Sequence, residues 1–150
     1  MKKSIMYLSM LFAVAVIAFT LQNVTANAQE VWTKSQLLAP ADLNKTLMNP
    51  KAAQPIIYSI GYQAIIKNSI DIGAGGDKNN QKKLKQALSK VPKNADIVIY
   101  CGCCPFSTCP NVRPVFQMLT EMGYKNHKLL NIAQNIKVDW IDKGYAVKKK

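Results

Sequence analysis

The chain has 150 residues, of which 20 are Lys or Arg and 8 are Asp or Glu, so its formal charge at pH 7 is +12. This length suits one domain with a hydrophobic core of its own. Lysines carry nearly all the positive charge without interleaved aromatic residues, and the lone arginine is Arg113, which argues against a nucleic-acid-binding module. The charge instead predicts solubility and attraction of small anions.

The first 28 residues have the pattern of a secretory signal peptide. Two lysines precede an uncharged apolar run at 5–19, and residues 26–28 offer a small-x-small motif for cleavage between Ala28 and Gln29. The run is shorter than the roughly 20 residues that a membrane-spanning helix needs, although an uncleaved anchor stays open as an alternative. We predict an exported protein, periplasmic or secreted, with a mature domain at 29–150 and membrane contact only through the signal peptide.

Helix-like and strand-like segments alternate along the mature chain. Amphipathic spacing predicts helices at 39–48, 81–91, 111–123 and 138–145. Runs of β-forming residues predict strands at 55–61, 68–73, 95–101 and 127–132. A glycine-rich stretch at 73–80 predicts a loop. Trp32 and the residues before it are expected to form a flexible lead-in. Trp140 and Tyr145 are expected to pack the last helix onto the sheet. The alternation predicts a single α/β domain with a central parallel sheet flanked by helices.

All four cysteines of the chain lie within nine positions, directly after the most strand-like segment: Cys101, Cys103, Cys104 and Cys109. Cys101 falls at the carboxyl end of a buried strand, the edge at which open parallel sheets place their ligand sites. In an exported protein, clustered thiols need a disulfide, a metal or a reducing partner.

The helix after the cysteines is expected to begin at Asn111. With Asn111 as the N-cap, Pro114 becomes the third helical residue, where its missing N–H costs no hydrogen bond. The free N–H groups and the positive end of the helix dipole then point back at the cysteine loop. This arrangement favours Cys101 as a nucleophilic thiolate, with Arg113 as a positive charge for an anionic substrate.

Several motifs around this loop resemble the rhodanese family. They are a hydrophobic strand ending in Tyr-Cys, a loop over the cysteine, a helix ending in L-x-x-x-G-Y (119–124), a short strand, and a final W-x-x-x-G-Y-A-V (140–147). The resemblance spans roughly residues 33–148. It implies a central parallel sheet and transfer of sulfane sulfur through a persulfide on Cys101, cradled by loop N–H groups of residues 102–109 and without a cofactor.

The resemblance also implies a small anionic sulfur donor such as thiosulfate and a thiol or a cyanide-like acceptor. Candidate substrate-binding residues are Gly102, Phe106, Ser107 and Arg113. Phe106 is either an aromatic shield over the thiols or a plug that pins the loop. The Cys-x5-Arg spacing of related phosphatases and arsenate reductases is missing, because position 107 is Ser.

Three interpretations of the thiols stay open. In the favoured one, Cys101 forms the persulfide and Cys103, Cys104 or Cys109 resolves or relays it. In the second, the thiolates bind Cu(I) or Zn(II), although C-x-C-C-x4-C fits no familiar zinc pattern and His127 lies a whole helix away. In the third, disulfides such as Cys101–Cys104 or Cys104–Cys109 stabilise a binding domain without catalysis, or hold a resting enzyme that a partner must reduce.

Overall fold

A sheet of five parallel strands forms the centre of residues 32–149, the part of the chain that the computed structural model describes. The strands are β1 (Leu37–Leu38), β2 (Ile56–Ser59), β3 (Ile70–Asp71), β4 (Asp96–Tyr100) and β5 (Asn126–Leu130). Their order across the sheet is β1-β5-β4-β2-β3, with every neighbouring pair parallel. The predicted α/β fold is confirmed. The predicted signal peptide and its cleavage site lie outside the described residues.

Helices cover both faces of the sheet. They are α1 (Pro40–Met48), α2 (Lys78–Leu88) and α3 (Val112–Glu121), with a 3₁₀ turn at Lys34–Gln36 and a π-helical turn at Lys137–Ile141. None of the helices between residues 32 and 149 combines the length and apolarity that crossing a membrane requires.

Alternation along β4 divides the core into two layers. Ile97 and Ile99 pack with the buried residues of α2 and α3, while Val98 and Tyr100 pack with those of α1 and with Trp140. Successive side chains of a strand point to opposite faces, so Cys101, the next residue, returns to the face covered by α3. The end of β4 therefore places the Cys101 thiol near the start of α3.

Helix α2 begins three residues before the predicted start. The Asp77 side chain accepts hydrogen bonds from the backbone N–H groups of Asn79 (2.7 Å) and Asn80 (3.1 Å). These bonds satisfy N–H groups that the first turn would otherwise leave without partners. The predicted loop at 73–80 therefore ends at Asp77.

The final segment is a π-helical turn rather than the predicted helix at 138–145. Trp140 is fully buried in the second core layer, and its ring meets that of Tyr145 edge-on at 5.2 Å between centroids. The predicted packing role of these two aromatic residues is confirmed. The chain then turns through Gly144, which has a φ of +68°.

The segment before α1 differs most from the prediction. Trp32, expected in a flexible lead-in, packs its ring edge-on against Phe116 of α3, with 4.9 Å between centroids. The unpredicted strand β1 follows and pairs with β5, Leu37 opposite Leu129. A two-residue strand has no alternation that a sequence pattern could reveal. Strand β3 is likewise shorter than predicted and has both residues exposed.

Candidate functional site

Cys101 directly follows β4 and is 5% exposed. The backbone after β2 runs close beside it, because Ile60 donates its N–H to the Tyr100 carbonyl at 2.9 Å. A Cβ on the next residue, Gly61, would lie 2.1 Å from the Cys101 carbonyl oxygen. Glycine is therefore required at position 61 for two neighbouring strand ends to approach each other at the cysteine. The predicted position of Cys101 at the carboxyl edge of the sheet is correct.

The four cysteines meet in one cluster of free thiols. All four Sγ atoms lie within 4.8 Å of one another. Cys103 Sγ lies 3.1 Å from Cys101 Sγ and 3.4 Å from Cys104 Sγ. Cys101 and Cys109 are buried, Cys104 is half-buried and Cys103 is exposed. Neither of the disulfides that the spacing allowed, Cys101–Cys104 or Cys104–Cys109, is formed in this structure.

Asn111 also contacts this cluster, although its position in the sequence predicted only a helix cap. It is the residue before α3, as predicted, but its side chain makes no capping hydrogen bond. Its amide Nδ2 instead donates to Cys101 Sγ at 3.4 Å, and its Oδ1 accepts from the backbone N–H of Gly76 at 3.0 Å. The bond to Gly76 fixes the orientation of the amide, so that the N–H side faces the sulfur.

The hydrogen bonds around Cys101 favour its thiolate. Together they lower the pKa of Cys101 from its ordinary value of 9 to about 5, and the hydrogen bond from the Cys109 thiol is the largest cause. Burial opposes this change, while the Asn111 amide and the backbone N–H and thiol of Cys103 add to it.

The neighbouring thiols keep their protons. Although the Cys103 residue is exposed overall, the partial desolvation of its sulfur, together with the hydrogen bond to Cys101, raises the pKa of Cys103 to about 12. The hydrogen bond to Cys101 is also the main cause that raises the pKa of Cys109, with burial next. Among these three sulfurs the thiolate is therefore favoured at Cys101, and the Cys103 and Cys109 thiols donate toward it.

The loop that carries the cysteines is tied to the segment after β5. Gly102, with a φ of +82°, accepts at its carbonyl from the N–H of Ile136 at 2.8 Å. Phe106 donates its N–H to the Ile132 carbonyl at 2.9 Å, and its half-buried ring packs on the core layer under α3. Of the two roles considered for Phe106, the structure supports the plug that pins the loop.

Only part of the predicted N–H cradle is available in this conformation. The N–H groups of Phe106 and Thr108 donate to protein carbonyls, those of Ile132 and Pro105. The N–H of Cys103, in contrast, is directed at Cys101 Sγ. An anion centred on Cys101 would therefore be held by the first residues of the loop and not by its whole length.

The other two predicted substrate-binding residues are Ser107, in the cysteine loop, and Arg113, in α3. Ser107 is exposed. Arg113, in the first turn of α3, stacks its guanidinium over the Trp32 ring with 4.7 Å from Cζ to the ring centroid. This contact with Trp32, which no spacing pattern predicted, packs the guanidinium of the predicted anion-binding residue against an aromatic ring.

His127 does not belong to the thiol cluster. It lies opposite Ile97 of β4 in the register of the two strands, and Ile97 comes four residues before Cys101. At about 3.3 Å per strand residue, His127 is therefore roughly 13 Å from the level of Cys101 along the strand direction. Its ring packs against Phe116 with 4.3 Å between centroids, and Nε2 shares a 3.1 Å hydrogen bond with Thr120 Oγ1. His127 is therefore a half-buried packing residue near the start of β5.

No protein-family model matches the chain, and a search of curated proteins gives no match. A function for the site must therefore be argued from its own geometry and from the motifs in the sequence.

Proposed function

We propose that this protein is a sulfurtransferase or persulfide carrier in which Cys101 is the nucleophile. The observation that carries the proposal is the position of Cys101 Sγ at the carboxyl edge of the sheet, 3.4 Å from the Asn111 amide and 3.1 Å from the Cys103 thiol. A thiolate, not a thiol, is the reactive form of cysteine, and the lowered pKa of Cys101 supports this role. The resemblance of the surrounding motifs to the rhodanese family supports it as well.

The first half-reaction would load sulfur onto Cys101. The Cys101 thiolate attacks the sulfane sulfur of thiosulfate, a new S–S bond forms, and the S–S bond of thiosulfate breaks so that sulfite leaves with the electron pair. The terminal sulfur of the resulting persulfide carries the negative charge that the thiolate had. The Asn111 amide and the Cys103 N–H would stabilise the negative charge of the thiolate and of the persulfide.

The second half-reaction would hand the terminal sulfur to an acceptor. Cyanide would take it as thiocyanate, and a thiolate would take it as a new persulfide; both return the Cys101 thiolate. Cys103 is the thiol best placed to relay sulfur, because it is exposed and its Sγ lies 3.1 Å from that of Cys101. Cys104 and Cys109 would serve as further relay or resolving positions.

The setting follows from the proposed signal peptide. An exported enzyme with an excess of lysines would meet small anionic sulfur compounds as donors, with Arg113 and Ser107 as contributors to their binding. Outside the cytoplasm the thiols would also need a reducing partner, because paired cysteines there tend to oxidise.

Intact-mass spectrometry tests the proposal. The reduced protein should gain the mass of one sulfur atom after thiosulfate and lose it after cyanide, and Cys101→Ser should show no gain. Cys103→Ser is the matched control from the same loop: it should still load one sulfur but pass it more slowly to a thiol. A sulfur gain that persists in Cys101→Ser would refute Cys101 as the nucleophile.

A further inference from the structure

We propose that the four thiols together form a binding site for a single Zn(II) ion. The observation is that the Sγ atoms of Cys101, Cys103, Cys104 and Cys109 all lie within 4.8 Å of one another. This inference does not rest on sulfur transfer, since it concerns an equilibrium binding property of the same cluster.

The distances fit one tetrahedral ion. With Zn–S bonds of about 2.3 Å, tetrahedral geometry places the sulfurs about 3.8 Å apart. The Cys101–Cys103 distance is 3.1 Å, the Cys103–Cys104 distance is 3.4 Å, and no pair exceeds 4.8 Å, so these two pairs and the widest one all come within about 1 Å of that value. An iron–sulfur cluster would need its cysteines further apart, because they bind different iron atoms.

The backbone holds these sulfurs together by contacts outside the cluster. The loop is fixed at its start by the bond from Ile136 N–H to the Gly102 carbonyl and in its middle by the bond from Phe106 N–H to the Ile132 carbonyl. The ion would not have to gather the sulfurs from a flexible chain, so little ordering entropy opposes binding.

The surroundings suit a metal–thiolate centre. Four thiolates around a divalent ion carry a net charge of −2, and the N–H groups at the start of α3 favour negative charge. The Asn111 amide already donates to Cys101 Sγ at 3.4 Å, the kind of outer contact that orients a metal ligand. Exposed Cys103 provides the side from which an ion would enter.

Binding would release one proton from each cysteine that is a thiol before the metal binds and a thiolate afterwards. The oxidation states of zinc and sulfur would not change. Once Cys101 Sγ is bonded to the metal, its lone pair is no longer available for attack on sulfur. Zinc and a persulfide on Cys101 therefore exclude each other.

The experiment is a titration of the reduced, metal-free protein with Co(II) under anaerobic conditions, followed by displacement with Zn(II). The expected result is one Co(II) per chain, with thiolate-to-cobalt charge-transfer absorption and the intense d–d bands of tetrahedral geometry, all lost on addition of Zn(II). Cys104→Ser should lose about a quarter of the charge-transfer intensity, because one sulfur in four is removed. Asn111→Ala should bind about 10-fold to 100-fold more weakly.

Gln117→Ala, which changes an exposed side chain of α3 outside the thiol cluster, is the matched control and should bind as the parent protein does. Cys109 is buried, so its replacement would disturb folding. The test therefore uses substitutions of the half-buried Cys104 and the exposed Cys103. Weak octahedral spectra, one ion shared between two chains, or full charge-transfer intensity in Cys104→Ser would each overturn the proposal. None of these outcomes depends on thiosulfate, so failure here leaves the persulfide assay as a separate test.

Discussion

Replacing Asn111 with Ala should raise the pKa of the Cys101 thiol from about 5 to about 6. The variant removes the amide donor that lies 3.4 Å from Cys101 Sγ. A hydrogen bond to a charged group contributes about 1.5 kcal/mol at the lower end of its range, and this bond to sulfur is long. Since about 1.4 kcal/mol corresponds to one pKa unit, the loss amounts to about one unit.

The assay is the rate of alkylation by iodoacetamide as a function of pH, with the label assigned to Cys101 by peptide fragmentation. The thiolate is the species that reacts, so the midpoint of the rate profile reports the pKa of this thiol. Asn111→Asp provides a second comparison. It keeps an acceptor for the Gly76 N–H but places a carboxylate beside the thiolate, so its midpoint should lie above that of Asn111→Ala.

Asn126→Ala is the control, because Asn126 donates to the Asn94 carbonyl at 2.8 Å, beside the opposite end of β4 from Cys101. Its midpoint should equal that of the parent protein. A folded Asn111→Ala protein with its midpoint still near 5 would refute the role given to the amide. A midpoint for Asn111→Asp below that of Asn111→Ala would refute the electrostatic reasoning.

Four further predictions concern the site and the residues that support it. The rate of persulfide formation from thiosulfate, measured by mass spectrometry, should reach half its plateau value near pH 5, because protonation of Cys101 removes the nucleophile. A rate that still rises tenfold per pH unit above neutrality would contradict this. Because the folded pKa of Cys101 lies below its ordinary value of 9, its ionisation stabilises the fold fully above pH 9, and this contribution is lost as pH falls toward 5. Urea unfolding should therefore show the parent protein gaining stability over Cys101→Ser between pH 5 and 8, and a constant difference would argue against the shift. Gly61→Ala should lower the free energy of unfolding by about 1–3 kcal/mol and slow Cys101 alkylation, because the new Cβ meets the Cys101 carbonyl; unchanged stability would show that the strand ends are free to separate. Trp32→Ala should lower the free energy of unfolding in urea by about 3 kcal/mol through lost packing on Phe116, the low end of the range for tryptophan because Trp32 is half-buried; a true lead-in residue would cost nothing measurable.

The arrangement of β4, the cysteine loop and α3 was predictable because local rules control it. A run of β-forming residues specifies β4, and the strand places Cys101 at the carboxyl edge of a parallel sheet. Pro114 limits where α3 can begin, and Asn111 precedes its first residue as expected. The start of α2 was missed although its signal is local, since Asp77 is a favoured N-cap residue.

The sequence by itself determined the α/β fold and the nucleophile candidate, because hydrophobic alternation, proline geometry and the succession of helices and strands along the chain depend on near neighbours. Only the tertiary structure decided what surrounds that sulfur. The Asn111 amide is aimed at Cys101 by the N–H of Gly76, 35 residues earlier. The four sulfurs converge because carbonyl and amide groups of Ile132 and Ile136, beyond β5, hold the loop over them. Such contacts join segments that are distant in sequence, and no spacing within either segment encodes them.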